Sequence, residues 1–391
     1  MPNFKNLERL LQEFSNTTVP GCACSIMKDG ELIYEGYAGY SDIEDKIKVS
    51  NDSIFRQAST TKLFTYAIIG MLYEEGKFLL SDPISEYLPE YKNMMKYQRN
   101  SLGELEIVPL ENPITIKDVV TMSCGLPYCM VPDVNSKEPI IAAMSKELVA
   151  IGKNGIPTLR EEVRAISKVP VLFEPGTHWL YGFGSEITGA IVEEITGKAL
   201  RKVFHERLID PLNLKNTGTY INDNNKKQVV SNYMKNRDGS FKKLEKDSDF
   251  AFNKEISPVR ARVNLLASAT DFAVFMQMLA MGGTYKNERY LGRKTIDLLR
   301  SNYLNDTQLK DFTCTYLAGY GYGLGFRTLM DKAAGNHNGS IGAFGWTGGS
   351  GIWVEADPLE RVSISYMHNM RPNEELYHHL RVRTVAYGCL D

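Results

Sequence analysis

Apolar residues at Phe4, Leu7, Leu10, Leu11 and Phe14 recur at helical spacing, so the chain opens with an amphipathic helix. The period then changes to that of strands. Residues 21–27 and 31–37 read as two strands joined around Asp29-Gly30, a pair that two-residue hairpin turns prefer. A second strand pair, 351–356 and 361–368, flanks Asp357-Pro358, and a helix over 374–387 closes the chain. Helical patterns dominate between these ends. One runs over 59–75 until Gly76 and turns Phe64, Ala67, Ile68, Met71 and Leu72 to its buried side. Others fit 116–122, 140–151, 159–166, 184–196, 200–208 and 269–280, the last ended by Gly282-Gly283. A further hairpin around Asp238-Gly239 joins 229–235 to 241–244. Helix and strands at both termini with helices between predict an α+β architecture. Residues 1–58 and 255–391 form an antiparallel sheet flanked by terminal helices, and 59–254 an inserted, mainly helical lobe.

Length supports that division, since 391 residues exceed the roughly 250–300 at which one hydrophobic core stops growing. A formal net charge of −2 supplies no electrostatic pull on nucleic acid or anionic lipid. The lysines of 226–246 are interleaved with Asp, Asn and Gly and read as a solvated hairpin. No apolar run is long enough to span a membrane, and the first residues lack a leader pattern, so a cytoplasmic protein is expected. The six cysteines form no CxxC pair and are read as reduced; Cys22 and Cys24 share one strand face, which suits packing. The six histidines show no metal-binding spacing, and His378-His379 are expected on the surface of the last helix. With no phosphate loop or dinucleotide fingerprint, neither cofactor nor metal is expected.

Three Ser-x-x-Lys tetrads occur. Ser25 and Lys28 lie in a strand, where residues three apart face opposite sides. Ser240 and Lys243 lie in a polar hairpin, where nothing desolvates the lysine. Only Ser59 and Lys62 open an apolar helix, where residues three apart share a face. Burial depresses a lysine pKa, and a neutral amine can take the serine proton.

The stretch Ile54-Phe55-Arg56-Gln57-Ala58-Ser59-Thr60-Thr61-Lys62 resembles the nucleophile region of the serine β-lactamase, penicillin-binding protein and family VIII esterase superfamily. The resemblance continues through Ser81-Asp82-Pro83-Ile84, the segment 114–127 and Tyr320–Phe326, and covers nearly the whole chain. It implies a β-lactamase/transpeptidase-like fold with the active site between the lobes. The family's Tyr-x-Asn motif corresponds to Tyr181-Gly182-Phe183: Tyr181 carries over as a proton-transfer partner, whereas Phe183 replaces the asparagine and joins the substrate pocket. The family's third motif corresponds to Trp346-Thr347-Gly348, where Trp346 replaces a substrate-anchoring cation, as in several family VIII esterases. Thr347 and Gly348 are implied in substrate binding, and the N–H groups of Ser59 and Gly349 in an oxyanion hole. Gly345, Gly348, Gly349 and Gly351 are expected to let substrate approach the strand.

The resemblance therefore implies an acyl-enzyme hydrolase using Ser59, Lys62 and Tyr181, with a small ester, lactam or amide as substrate. The loss of asparagine and cation favours a carboxylesterase on small neutral esters. A β-lactamase, a D-amino-acid peptidase or amidase, and an acyltransferase use the same machinery. A binding protein that merely retains the fold stays open beside them. Arg260, Arg262 or a C-terminal arginine is the candidate to replace the missing cation.

Overall fold

The computed structural model describes residues 2–129, 131–153, 155–244, 259–313 and 317–390. The expected 254/255 lobe boundary, Cys314 and the last lysine of the 226–246 run lie outside them. An eight-stranded antiparallel sheet forms from both ends of the chain. In spatial order its strands are Tyr320–Tyr322, Arg327–Leu329, Phe344–Gly348, Ile352–Asp357, Val362–His368, Gly21–Lys28, Glu31–Asp42 and Ile47–Lys48. The N-terminal hairpin turns as its sequence demands: Lys28 pairs with Glu31 across two residues, Asp29 at φ 53° and Gly30 at φ 87°. At the second hairpin, the Asp357 carboxylate accepts the Leu359 and Glu360 N–H groups at 3.1 and 3.2 Å, closing the turn ahead of Val362.

Strand alternation sends the sheet's side chains to two cores. Cys22, Cys24, Ile26, Ile364 and Tyr366 pack with Leu7, Leu11 and Phe14 of the helix Lys5–Thr17 and with Val382 and Ala386 of the helix Glu375–Tyr387. Ala23, Met27, Val354 and Met367 face the other way, with Phe272 and Met276 of the helix Ala269–Ala280. That second core continues through the helices Thr61–Glu74, Leu159–Ile166, Gly184–Thr196 and Leu200–Phe204.

Two expectations are corrected. The helix Thr61–Glu74 is buried from Thr61 through Leu72 on every side, not on one stripe, because it runs through the middle of the larger core. His378 and His379 are buried at 0% and 3% exposure, since the closing helix packs its histidine face onto Phe14 and Tyr366. The hairpin 233–243 also does more than face solvent. Its first strand pairs in parallel with Met370–Arg371, and Lys243 binds Asp42. The described cysteines, Cys22, Cys24, Cys124, Cys129 and Cys389, are buried free thiols.

Candidate active site

The turn that presents Ser59 is held from below. Phe55–Arg56 pairs with Leu266–Ala267, the Gln57 N–H donates to Leu265 O at 2.9 Å, and the buried Gln57 amide donates to Phe55 O and Ala267 O, both at 3.1 Å. The Thr60 hydroxyl donates back to Gln57 O at 2.8 Å. Ala58 is driven to φ 47°, a conformation that costs a non-glycine residue on the order of 1–3 kcal/mol. The result is a 3-10 turn, Ala58–Thr60, that places Ser59 at the mouth of the helix Thr61–Glu74. The other tetrads are otherwise engaged: the Ser25 hydroxyl meets Thr270 at 2.9 Å, and Lys243 is ion-paired.

Lys62 lies beneath this turn, 1% exposed. Among the described residues its hydrogen-bond partner is the Arg262 carbonyl, at a long 3.4 Å. The ammonium also lies 5.0 Å from the Tyr181 ring centre and 5.5 Å from that of Tyr128. Burial pulls its pKa down to about 7, against the raising field of Glu186 and with the lowering field of Arg262. Glu186 is fully buried and binds the Arg262 guanidinium at 2.9 Å. Arg262 and Arg260 both reach Glu162, at 3.3 and 2.7 Å. The two arginines named as candidate substrate cations are therefore neutralised inside the protein.

Tyr181 accepts a 2.9 Å hydrogen bond from the Trp346 indole N–H, with the rings 5.4 Å apart. Trp346 is thus a polar partner of the tyrosine as well as an apolar wall. Ser59, Tyr181, Trp346, Thr347 and Gly349 line one cleft of about 340 Å³. Phe183 does not: it is 1% exposed, with its ring against Tyr128 and the Arg262 guanidinium. Gly348 is also absent from the wall. A Cβ there would come within 2.4 Å of Gln57 O, one at Gly345 within 2.0 Å of Val354 O, and one at Gly351 within 2.3 Å of His368. At these three glycines the space a Cβ would take is filled by neighbouring protein groups. Gly349 alone of the four faces open space.

Further wall residues carry no motif. Trp179 stacks on Tyr181 at 6.0 Å and meets Phe312 at 4.9 Å, and Asp311 and Glu375 add two carboxylates. Asp311 accepts the Trp179 N–H at 3.1 Å and meets His178 Nδ1 at 2.9 Å. Burial opposes the Glu375 charge, but His379, the Thr347 hydroxyl and Arg327 outweigh it and hold the carboxyl below its ordinary range. Arg371 donates to the Ser350 hydroxyl at 2.9 Å, beside the cleft but outside its lining. Trp179 and Asp311 could have been sought beside the Tyr181 and Phe312 aromatics; nothing in the sequence marks Glu375. Among the described residues no three His, Cys, Asp or Glu side chains converge on a metal-sized site, and no helix is long and apolar enough to cross a membrane.

A family model described as Beta-lactamase matches residues 7–387. Among curated relatives, the N-acetylmuramyl-L-alanine amidase of Bacillus subtilis is 24% identical over 94% of this chain and 81% of its own. Esterase EstB of Burkholderia gladioli is 25% identical over 51% of this chain and 46% of its own. The solved structure of EstCE1, described as a hydrolase with promiscuous acyltransferase activity, superposes with a TM-score of 0.82 at 21% identity, covering 98% of both chains. That last likeness is one of fold.

Proposed function

The chain belongs to the beta-lactamase family, and from that premise we propose a carboxylesterase that hydrolyses small esters through an acyl-enzyme on Ser59. The observation that carries this reading is a buried lysine, its pKa near neutrality, one helical turn from a serine that opens onto an aromatic cleft. Neutral Lys62 takes the Ser59 proton as Oγ attacks the ester carbonyl. The oxyanion falls to the N–H groups of Ser59 and Gly349; the latter is exposed and donates to no backbone acceptor among the described residues. Tyr181, between Lys62 and the Trp346 indole, passes a proton to the departing alkoxide. Water then cleaves the acyl-enzyme by the reverse relay.

Wall chemistry supports neutral over anionic substrates. Asp311 and Glu375 line the cleft, and no lysine or arginine is among its described lining residues. Ser59, Trp179 and Tyr181 come from 59–254 and Asp311, Trp346 and Glu375 from 255–391, which accords with a cleft between two lobes. A fluorophosphonate probe should modify the Ser59 peptide and abolish p-nitrophenyl butyrate hydrolysis. An adduct elsewhere, or none on a folded active sample, removes the proposal. The apolar faces of Trp179 and Phe312 favour a second reading, acyl transfer to an apolar alcohol that competes with water. Ester product formed from added butanol would support it.

A further inference from the structure

We infer that Arg262 is a positioning residue that keeps Lys62 available as a base by holding Glu186 in a buried ion pair. The inference rests on the reading of Lys62 as the base. Arg262 touches both groups: its carbonyl accepts the Lys62 ammonium at 3.4 Å, while its N–H and guanidinium bind one Glu186 oxygen at 3.1 and 2.9 Å. The other Glu186 oxygen accepts the Ser185 hydroxyl at 2.8 Å. Glu186 stands on the first turn of the helix Gly184–Thr196 that follows Tyr181, where it is fully buried. The cluster is completed by Glu162, shared between Arg262 and Arg260, giving two positive and two negative groups.

A bare carboxylate in this position would claim the ammonium as its counter-ion and fix it in the charged, catalytically idle form. Arg262 satisfies the carboxylate first. Among the described residues, the phenols of Tyr128 and Tyr181 face Lys62 from other elements, and Tyr66 lies on its own helix. None of these is a carboxylate, so the ion pair is the charged lever beneath the lysine.

The sign of the effect separates this role from a purely structural one. Removing the positive partner with Arg262→Met leaves Glu186 to raise the lysine, so the acid limb of kcat/KM should move to higher pH. A shift of about one unit corresponds to about a tenfold loss under acidic conditions, with activity recovering as pH rises. Glu186→Gln, nearly isosteric, removes the raising field and should move the limb to lower pH. The double variant should return it toward the wild type.

The test is kcat/KM for p-nitrophenyl butyrate from about pH 5 to about pH 9 for the wild type and these three variants, with Lys62→Arg alongside. Opposite shifts in the single variants and return in the double support the inference. Limbs that stay in place, or move the same way, overturn it. If Arg262→Met does not fold, Glu186→Gln decides alone, and an unmoved or raised limb is the negative result. An active Lys62→Arg with an unchanged limb rejects instead the assignment of the base. A limb that requires Lys62 but ignores Glu186 and Arg262 sinks only the ion-pair role.

Discussion

An ammonium group at 1% exposure, with one long hydrogen bond among the described residues, has lost its hydration and gained little in return, so Lys62 holds its proton weakly. With a pKa of about 7, the neutral amine prevails above that pH, and ester turnover should rise through neutrality as pH increases. A pH–rate profile of the wild type, flat through pH 7, would contradict this. Lys62→Arg keeps the charge but cannot deprotonate, and should lower kcat by at least about 10²-fold with folding intact by circular dichroism. Trp346→Phe keeps the apolar wall but removes the donor to the Tyr181 hydroxyl. A hydrogen bond worth about 1 kcal/mol makes the expected loss in kcat about fivefold, smaller than that of Tyr181→Phe. Equal turnover by Trp346→Phe and the wild type would reduce the indole to packing. At this scale the sequence marked Ser59, Lys62, Tyr181 and Trp346 but not the indole–phenol bond, which joins residues 165 apart.

Among elements, the strand Phe344–Gly348 and the Ser59 turn are locked together by the absence of a side chain. Gly348→Ala would drive a Cβ to within 2.4 Å of Gln57 O, the carbonyl that receives the Thr60 hydroxyl. Backbone on both sides has little room to yield, so destabilisation of about 1–3 kcal/mol and loss of activity are expected. Gly349→Ala meets no atom within 4 Å and should unfold at the wild-type urea concentration. Equal urea midpoints for the two variants would show that the strand can back away from the turn. The hairpin at Asp29-Gly30 and the helix that becomes Thr61–Glu74 were legible because their signals are local. The purpose of each glycine in Gly345–Gly351 was not, since a glycine looks alike whether substrate or backbone fills its missing Cβ.

For the whole molecule, the cleft draws its walls from segments more than 300 residues apart, and two of those walls carry carboxylates, Asp311 and Glu375. Asp311 and Glu375 repel a substrate carboxylate, so kcat/KM for p-nitrophenyl butyrate should exceed that for penicillins and nitrocefin by orders of magnitude. Asp311→Asn, which keeps an acceptor for the Trp179 N–H, together with Glu375→Gln should narrow that gap about tenfold. Efficient nitrocefin turnover by the wild type would overturn the esterase reading while leaving Ser59 untouched. The sequence by itself determined the terminal hairpins, the helix that follows Ser59 and the order of the three motifs, because periodicity, turn chemistry and short-range spacing act within a few residues. Only the tertiary structure decided that Phe183 and Gly348 face protein, that Arg260 and Arg262 are spent on Glu162 and Glu186, and that Glu375 and Asp311 reach the cleft. Those outcomes depend on which distant groups share a low-dielectric interior, where a charge must find its partner before it can serve a substrate.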